Sequence, residues 1–129
     1  MEITFSDKIK VGSVALVKAI TEADVENIMV GAIEGGINEW GYILPISKKG
    51  KPADEPTSTW CARLILDGGE VFIGDIEDDE EKWVLTKNGL MKGIQDNITK
   101  RSSTDMEQYD ADDYDCIIQY ALFDKLVFG

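Results

Sequence analysis

Carboxylates are the reactive groups that cluster most densely in this 129-residue sequence. Six of the seven residues from 75 to 81 are acidic, namely Asp75, Glu77, Asp78, Asp79, Glu80 and Glu81. A second group of six lies between residues 105 and 115 and includes Asp110, Asp112 and Asp113. Carboxylates at such density could hold a cation, transfer protons in catalysis, or attract a positively charged protein surface.

Neither acidic segment has the spacing of a calcium-binding loop, which requires a turn glycine and a glutamate at its twelfth position. Counted from Asp110, the twelfth residue is Ala121, and the residues that follow Asp115 are apolar. Aspartates in this segment fit the start of a helix, where the helix dipole favours negative charge. Segment 75–81 fits a solvated loop. We therefore predict no metal site.

The sequence shows none of the common catalytic motifs. It contains no histidine, which excludes Ser-His-Asp and Cys-His nucleophilic sites as well as imidazole acid–base chemistry. A phosphate-binding loop, a dinucleotide fingerprint and a nucleophile elbow are also absent. No carboxylate pair stands out by the apolar context that tunes catalytic acids. We predict that the protein is not an enzyme, has no catalytic residue and uses no cofactor.

The charge balance limits the possible partners. With 25 acidic and 13 basic residues, the formal net charge is −12 and the isoelectric point is about 4.3. Direct binding of nucleic acid needs a surplus of lysine and arginine, so we expect none. A surplus of carboxylates either keeps a protein soluble or attracts a basic protein partner.

The cysteines and the N-terminal residues indicate a cellular compartment. Lys8, Lys10 and Lys18 interrupt the apolar residues near the N-terminus, so no signal peptide is predicted. No window has the roughly 20 apolar residues of a membrane span. Cys61 and Cys116 lie in apolar stretches and match no zinc or redox spacing, which predicts buried free thiols. We expect a cytoplasmic protein that does not contact membranes.

An alternative candidate site, for a small ligand, consists of Glu34, Gly35, Gly36, Trp40 and Gln119. Glu34 ends an apolar helical pattern just before the two glycines, and Trp40 follows closely. The other interpretation is structural, with the glycines ending a helix and Trp40 in the core. Gln119 lies within an apolar helical pattern, so a core that contains it must satisfy its amide.

The first half of the chain contains one clear element. Apolar and polar side chains alternate in residues 3–5 as in a short strand, and the apolar pattern of residues 11–20 fits either a strand or a helical turn. A helix follows Thr21, which forms a capping box with Asp24, and it ends at the glycine pair. After it, residues 40–46 are predicted to be extended and residues 47–58 to form a turn-rich loop.

A hairpin is predicted in the middle of the chain. Residues 59–66 and 70–76 flank the turn sequence Asp67-Gly68-Gly69, and residues 82–85 add a third strand. The fold class is therefore α+β: a small antiparallel sheet, made of a central hairpin and further strands, packed with about three helices in a single domain over residues 1–129.

Two helices are predicted after the sheet. Thr86 begins the first, in which Gly89 and Gly93 form a small face suited to close packing. Residues 100–108 are polar and fit a loop. The last helix begins at Asp110 or Asp112.

Two motifs together resemble a family of small proteins encoded by phages and prophages of Firmicutes. The first is Glu34-Gly35-Gly36 followed by Trp40, and the second is Gln119-Tyr120-Ala121-Leu122-Phe123 near the C-terminus. The resemblance covers almost the whole chain, and Leu85-Thr86 and Lys92-Gly93 match its middle part. The chain differs from the family pattern at Gly41, where an aromatic residue or Cys is common, and at Asp124, where Gly is typical.

The resemblance implies an accessory phage protein that acts in the cytoplasm of a bacterial host. The family carries no established enzymatic activity. Together with the two acidic segments, the resemblance suggests that this protein inhibits a basic host defence protein. It would do so by mimicking nucleic acid, as anti-CRISPR proteins do. The alternative is a protein that binds or sequesters a small nucleotide signal at Glu34, Gly35, Gly36, Trp40 and Gln119.

Overall fold

The computed structural model describes residues 2–129. Within this range, four α-helices and three strands follow one another as α1 (Glu22–Gly31), β1 (Gly41–Ile43), α2 (Thr57–Leu66), β2 (Val71–Asp75), β3 (Lys82–Leu85), α3 (Lys87–Arg101) and α4 (Ala111–Phe123). Short helical turns lie at Ala32–Gly36, Pro45–Lys48 and Met106–Gln108. The α+β fold is confirmed, and the described chain has four helices where about three were predicted.

The start of α1 follows the predicted capping box. The Thr21 hydroxyl accepts a hydrogen bond from the Asp24 backbone N–H at 3.1 Å, and the Asp24 carboxylate accepts one from the Thr21 N–H at 2.9 Å. These bonds satisfy two backbone donors that a helix start otherwise leaves unpaired. The helical path continues through the wider turn Ala32–Gly36 and ends there, as the glycine pair predicts.

The predicted strand over residues 59–66 is wrong, because this segment belongs to helix α2. Its buried residues recur at intervals of three and four, namely Ser58, Cys61, Ala62 and Ile65, which is the period of a helix. A short apolar run fits both periods, and burial on one helical face decides between them. The turn at Asp67-Gly68-Gly69 therefore connects a helix to a strand, and Gly68 adopts a φ of +83° there.

The hairpin in this fold is β2–β3, and residues 76–81 form its loop. The sheet order is β1-β2-β3, entirely antiparallel, with Ile73 of β2 opposite both Ile43 and Trp83. The predicted third strand over residues 82–85 is confirmed. Of the predicted extended segment 40–46, only Gly41–Ile43 is a strand, and its end is wrong because Pro45–Lys48 forms a helical turn.

Helices α3 and α4 pack closely at a glycine. A Cβ atom placed on Gly93 would overlap the carbonyl oxygen of Ile117 and lie 3.0 Å from the Cβ of Ala121. The predicted small face is thus confirmed at Gly93, which lets the two helix backbones approach. Of the two predicted starts of helix α4, Asp110 is the cap, since its carboxylate accepts hydrogen bonds from the N–H groups of Asp112 and Asp113.

Residues 2–20, which we call the N-terminal arm, have no regular secondary structure. The predicted strand at residues 3–5 and the strand or helical turn at residues 11–20 are therefore wrong. Alternating apolar residues form a strand only when a neighbouring strand pairs with them, and the arm pairs with none of the three described strands. Among the described helices, none has the length and apolar character that crossing a membrane requires.

Candidate functional site

The acidic loop, residues 76–81, projects from the end of the β2–β3 hairpin. Two carboxylates shape its backbone, because Asp75 accepts a hydrogen bond from the Glu77 N–H at 2.8 Å and Asp78 accepts one from the Glu80 N–H at 3.0 Å. The other four side chains are exposed and form neither an ion pair nor a hydrogen bond with any described residue: Glu77, Asp79, Glu80 and Glu81. Their charge is available to a partner.

The second acidic segment is largely used inside the protein. Asp113 accepts hydrogen bonds from Arg101 at 3.0 Å and from the Ser103 hydroxyl at 2.7 Å, and its side chain is only 13% exposed. Asp112 pairs with the same guanidinium at 2.9 Å but remains 73% exposed. Asp110 caps α4 and is exposed. Of the nine predicted partner-binding residues, three lie in this segment, and Asp113 is the least accessible of these three.

Burial and hydrogen bonding act in opposite directions on the pKa of Asp113. Burial raises this pKa, but hydrogen bonds from Ser103, the Asp110 backbone and Asn97, together with the charge of Arg101, lower it below its usual range. The folded protein thus holds this carboxylate ionised at pH values where the unfolded chain begins to bind a proton.

The lowered pKa makes Asp113 a source of acid sensitivity. Its stabilisation is fully present above the pKa of an unfolded aspartate and is lost as the pH falls through the lower folded pKa. We expect Asp113→Asn to lower the free energy of unfolding by about 1–3 kcal/mol at pH 7. Arg101 and Ser103 would lose the charged acceptor of their hydrogen bonds at a side chain that is mostly covered. Urea unfolding should show this difference shrinking towards zero as the pH falls below about 4.

Asp112→Asn is the matched control for this prediction. Asp112 pairs with the same arginine but is mostly exposed, and an exposed ion pair contributes at most about 1 kcal/mol. An Asp113→Asn difference that stays constant from pH 7 to pH 3 would contradict the role assigned to its ionised form.

Trp40 is part of an aromatic cluster. Its ring is 6% exposed and stacks on Phe128 with centroids 4.8 Å apart and planes at 4°. The edges of Trp83 and Phe123 complete the cluster, with centroids 5.9 and 5.8 Å from the Trp40 ring. The indole N–H donates to the carboxylate of Asp115 at 2.7 Å. The apolar ring is thus buried against other aromatic side chains, and the indole N–H has its hydrogen-bond acceptor within the protein.

Gln119 fixes the segment that follows α4. Its side-chain carbonyl accepts hydrogen bonds from the N–H groups of Val127 and Phe128, both at 2.8 Å. Its amide donates to the Phe128 carbonyl and to the Asp115 carboxylate, both at 3.0 Å. The predicted need for a satisfied amide is confirmed. The same bonds hold Phe128 against Trp40.

The structure brings three of the five predicted ligand-binding residues together at Asp115. Trp40 and Gln119 both donate to its carboxylate, and a Cβ on Gly36 would lie 3.1 Å from its backbone nitrogen. Glu34 and Gly35 are exposed and lie outside this contact. Sequence reasoning missed Asp115 as the shared acceptor, although its spacing of four residues from Gln119 on one helix places both on one face.

A cavity of about 270 Å³ lies beside the Glu-Gly-Gly turn. Ile33 and Ile37, which flank this turn in sequence, form part of its apolar wall. Its polar lining comes from Asn38, Lys48 and Thr57. The cavity is small, and neither Trp40 nor Gln119 lines it.

The two acidic segments are attached to one short stretch of chain, residues 36–41. The Ile76 N–H at the start of the acidic loop donates to the Trp40 carbonyl at 3.0 Å. On the other side, Trp40 binds Asp115 of α4. Glu39 lies within this stretch and is exposed. The fold therefore connects both groups of carboxylates through a shared anchor and adds a further acidic side chain between them.

The two thiols are free and buried, as predicted. Burial raises the pKa of Cys61 and of Cys116 to about 11, so both are protonated at neutral pH and are poor nucleophiles. Among residues 2–129, no group of three or more carboxylate or thiol side chains is arranged to hold a metal ion.

Comparison of the chain with known protein families, with characterised proteins and with solved structures gives no match.

Proposed function

We propose that this protein is a non-enzymatic binding protein whose acidic surface covers a basic face of another protein. The observation that carries the proposal is the hairpin loop 76–81, in which four exposed carboxylates have no partner within the described chain. Like charges held close together repel one another, and a positively charged surface relieves that repulsion. A hairpin also holds the loop in place, so little ordering is needed on binding.

The partner we propose is a nucleic-acid-binding protein of a bacterial host, such as a defence protein. Proteins of this class carry basic faces that neutralise phosphates, and closely spaced carboxylates offer the same charge to those faces. The resemblance of the motifs at residues 34–40 and 119–123 to those of phage proteins supports an accessory role in the bacterial cytoplasm. In this proposal Glu77, Asp79, Glu80 and Glu81 make the main contacts, and Asp110 and Asp112 extend them.

Charge reversal of the free loop carboxylates tests this function. Glu77, Asp79, Glu80 and Glu81 are replaced by lysine, while Asp75 and Asp78 stay because their carboxylates hold the loop backbone. We expect the immobilised variant to recover at least about 10-fold less of each basic protein from a Firmicutes lysate at about 50 mM salt, because electrostatic attraction is reversed. The difference in recovery between the variant and the unmodified protein should become smaller at about 500 mM salt, where charges are screened.

A matched control has the same net charge. Glu26, Asp54, Asp67 and Glu70 are exposed and belong to neither acidic segment, so their reversal changes the total charge equally but leaves the carboxylates of the proposed contacts in place. Recovery by this control should stay close to that of the unmodified protein. Equal losses in both variants would indicate a response to net charge alone and would contradict a loop-specific contact.

The small-ligand alternative is favoured by one observation, the cavity beside the Glu-Gly-Gly turn. Lys48, Asn38 and Thr57 could contact an anionic group there, as polar groups in an apolar pocket do. Native mass spectrometry of the same protein recovered from the lysate separates the two functions. A bound small molecule on protein that captures no basic partner would favour the alternative.

A further inference from the structure

Residues 124–129, which we call the latch, leave helix α4 through a left-handed turn. Asp124 has a φ of +63°, and two lysines of α3 hold it in place. Lys92 pairs with its carboxylate, and Lys100 donates to its carbonyl oxygen at 3.2 Å. Beyond this turn the latch has no regular secondary structure, so its position depends on the contacts that its own residues make.

Few contacts hold the latch beyond this turn. Leu126 and Val127 are 46% and 50% exposed, and within the described chain Phe128 is the one latch residue that packs against the core. Gln119 supplies the polar contacts, since it accepts from the N–H groups of Val127 and Phe128 and donates to the Phe128 carbonyl. A segment held in this way can open locally, at a free energy below that of global unfolding.

The surface beneath the latch is assembled by residues outside it. Gln119 is 1% exposed, and Asp115 holds its amide at 3.0 Å. Trp40, Trp83 and Phe123 contact one another edge to face, with ring centroids 5.9, 5.8 and 4.9 Å apart. We call this amide and the three rings the aromatic site. Because these contacts do not involve the latch, the site keeps its walls when the latch opens.

The seated latch shows which ligand chemistry the aromatic site accepts. Gln119 bonds to backbone atoms of the latch, at 2.8, 2.8 and 3.0 Å, so it recognises an extended peptide whatever its side chains are. Selectivity comes from the ring of Phe128, which stacks on Trp40 and meets the other two rings edge to face. Opening removes two donors from a buried amide oxygen, which favours a replacement peptide.

We infer that the aromatic site binds an extended peptide segment of another protein through an aromatic side chain, and that the latch occupies this site until such a segment displaces it. The latch is tethered beside the site and competes at an effective concentration on the order of millimolar. It therefore keeps the aromatic rings covered when no partner is bound. The proposed function does not depend on this site, because the acidic loop belongs to the β2–β3 hairpin.

A titration followed by nuclear magnetic resonance tests the displacement, with a capped peptide of residues 124–129 as the probe. The full-chain variant Val127→Pro/Phe128→Ala opens the latch, because proline lacks a donor to Gln119 and alanine lacks the ring. We expect the peptide to bind this variant at least ~10-fold more tightly than the unmodified protein, since the tethered competitor is weakened. The indole N–H of Trp40, whose ring stacks on Phe128, reports the binding.

Two controls locate the binding. Lys125→Ala/Leu126→Ala changes two exposed latch residues and should leave the peptide affinity within about 3-fold of that of the unmodified protein. A peptide that carries Phe128→Ala should bind the opened variant at least ~10-fold more weakly. Equal affinity of the two peptides, or equal affinity of the first peptide for the opened variant and the unmodified protein, overturns the inference.

Hydrogen exchange of the unmodified protein measures the opening itself and does not require any variant to fold. We expect the amides of Val127 and Phe128 to exchange at least ~100-fold faster than the buried amides of Ile117 and Ile118, because the latch opens without global unfolding. Equal protection at the two places means that the latch opens only with the whole fold, which overturns the inference. A dimer of the unmodified protein that Val127→Pro/Phe128→Ala dissociates also overturns it, because the latch would then be seated in a second copy.

Discussion

Replacing Trp40 with alanine is expected to lower the free energy of unfolding by about 3–5 kcal/mol, the range for a large aromatic residue removed from a core. The ring contacts Trp83, Phe123 and Phe128, so its loss leaves a cavity lined by three aromatic side chains. It also removes a hydrogen-bond donor from Asp115. Urea unfolding at pH 7 measures the effect.

Trp40→Phe separates the apolar ring from the indole N–H. Phenylalanine keeps most of the buried surface but cannot donate to Asp115, which retains its bond from Gln119. We expect a smaller loss of about 1–3 kcal/mol.

Trypsin cleavage after the exposed Lys125 gives a second measurement, since releasing Phe128 frees the segment that Gln119 holds. Cleavage should be fastest for Trp40→Ala. A loss below about 1 kcal/mol for Trp40→Ala would contradict a structural role for the Glu-Gly-Gly and Trp motif.

Replacing Gly93 with alanine is expected to lower the free energy of unfolding by about 2–3 kcal/mol, although alanine is the better helix former by about 1 kcal/mol. The added methyl group would overlap the carbonyl oxygen of Ile117, which belongs to the backbone of α4. A helix backbone cannot turn away as a side chain can, so α3 and α4 must separate. Thermal and urea unfolding should agree on the loss.

Gly89→Ala is the control on the same helix. It offers the same gain in helix propensity, but its Cβ would meet Thr86 Oγ1 at 3.3 Å and the Ala121 carbonyl oxygen at 3.6 Å. We expect its stability to stay within about 1 kcal/mol of the unmodified protein. Equal losses at both positions would show that the glycines serve the helix itself and not its packing against α4.

Helix α2 illustrates where reasoning from sequence was insufficient. Its residues are apolar at positions that suit either a strand or a helix, and the adjacent Asp-Gly-Gly sequence is a strong turn signal for both. Pairing with β2 would have favoured a strand. Packing against α1 buried Cys61, Ala62 and Ile65 on one side and favoured the helix. Because residues 59–66 form α2, the hairpin partner of β2 is β3. The acidic residues 76–81 lie between these two strands and form the hairpin loop.

The aspartates of the second acidic segment show a similar difference. Their position at a helix start follows from local capping chemistry, which the sequence displays. The solvent exposure of their side chains does not follow from this local chemistry. Asp112 and Asp113 are neighbours on the chain and both pair with Arg101, yet Asp112 is mostly exposed, whereas Asp113 is mostly covered and also accepts a hydrogen bond from Ser103. Residues that lie ten or more positions away determine this difference.

The sequence by itself determined the features that depend on neighbouring residues: the caps at Thr21 and Thr86, the start of the last helix to within two residues of Asp110, the helix end at the glycine pair, the strand at residues 82–85 and the exclusion of histidine chemistry. These are local because a cap or turn involves only a few consecutive residues. Tertiary structure alone decided that Trp40 meets Asp115 across 75 residues of sequence, that Phe128 stacks on Trp40, and that the N-terminal arm stays uncovered. Such contacts depend on how elements pack in space, and apolar or acidic composition fits many arrangements until packing selects one.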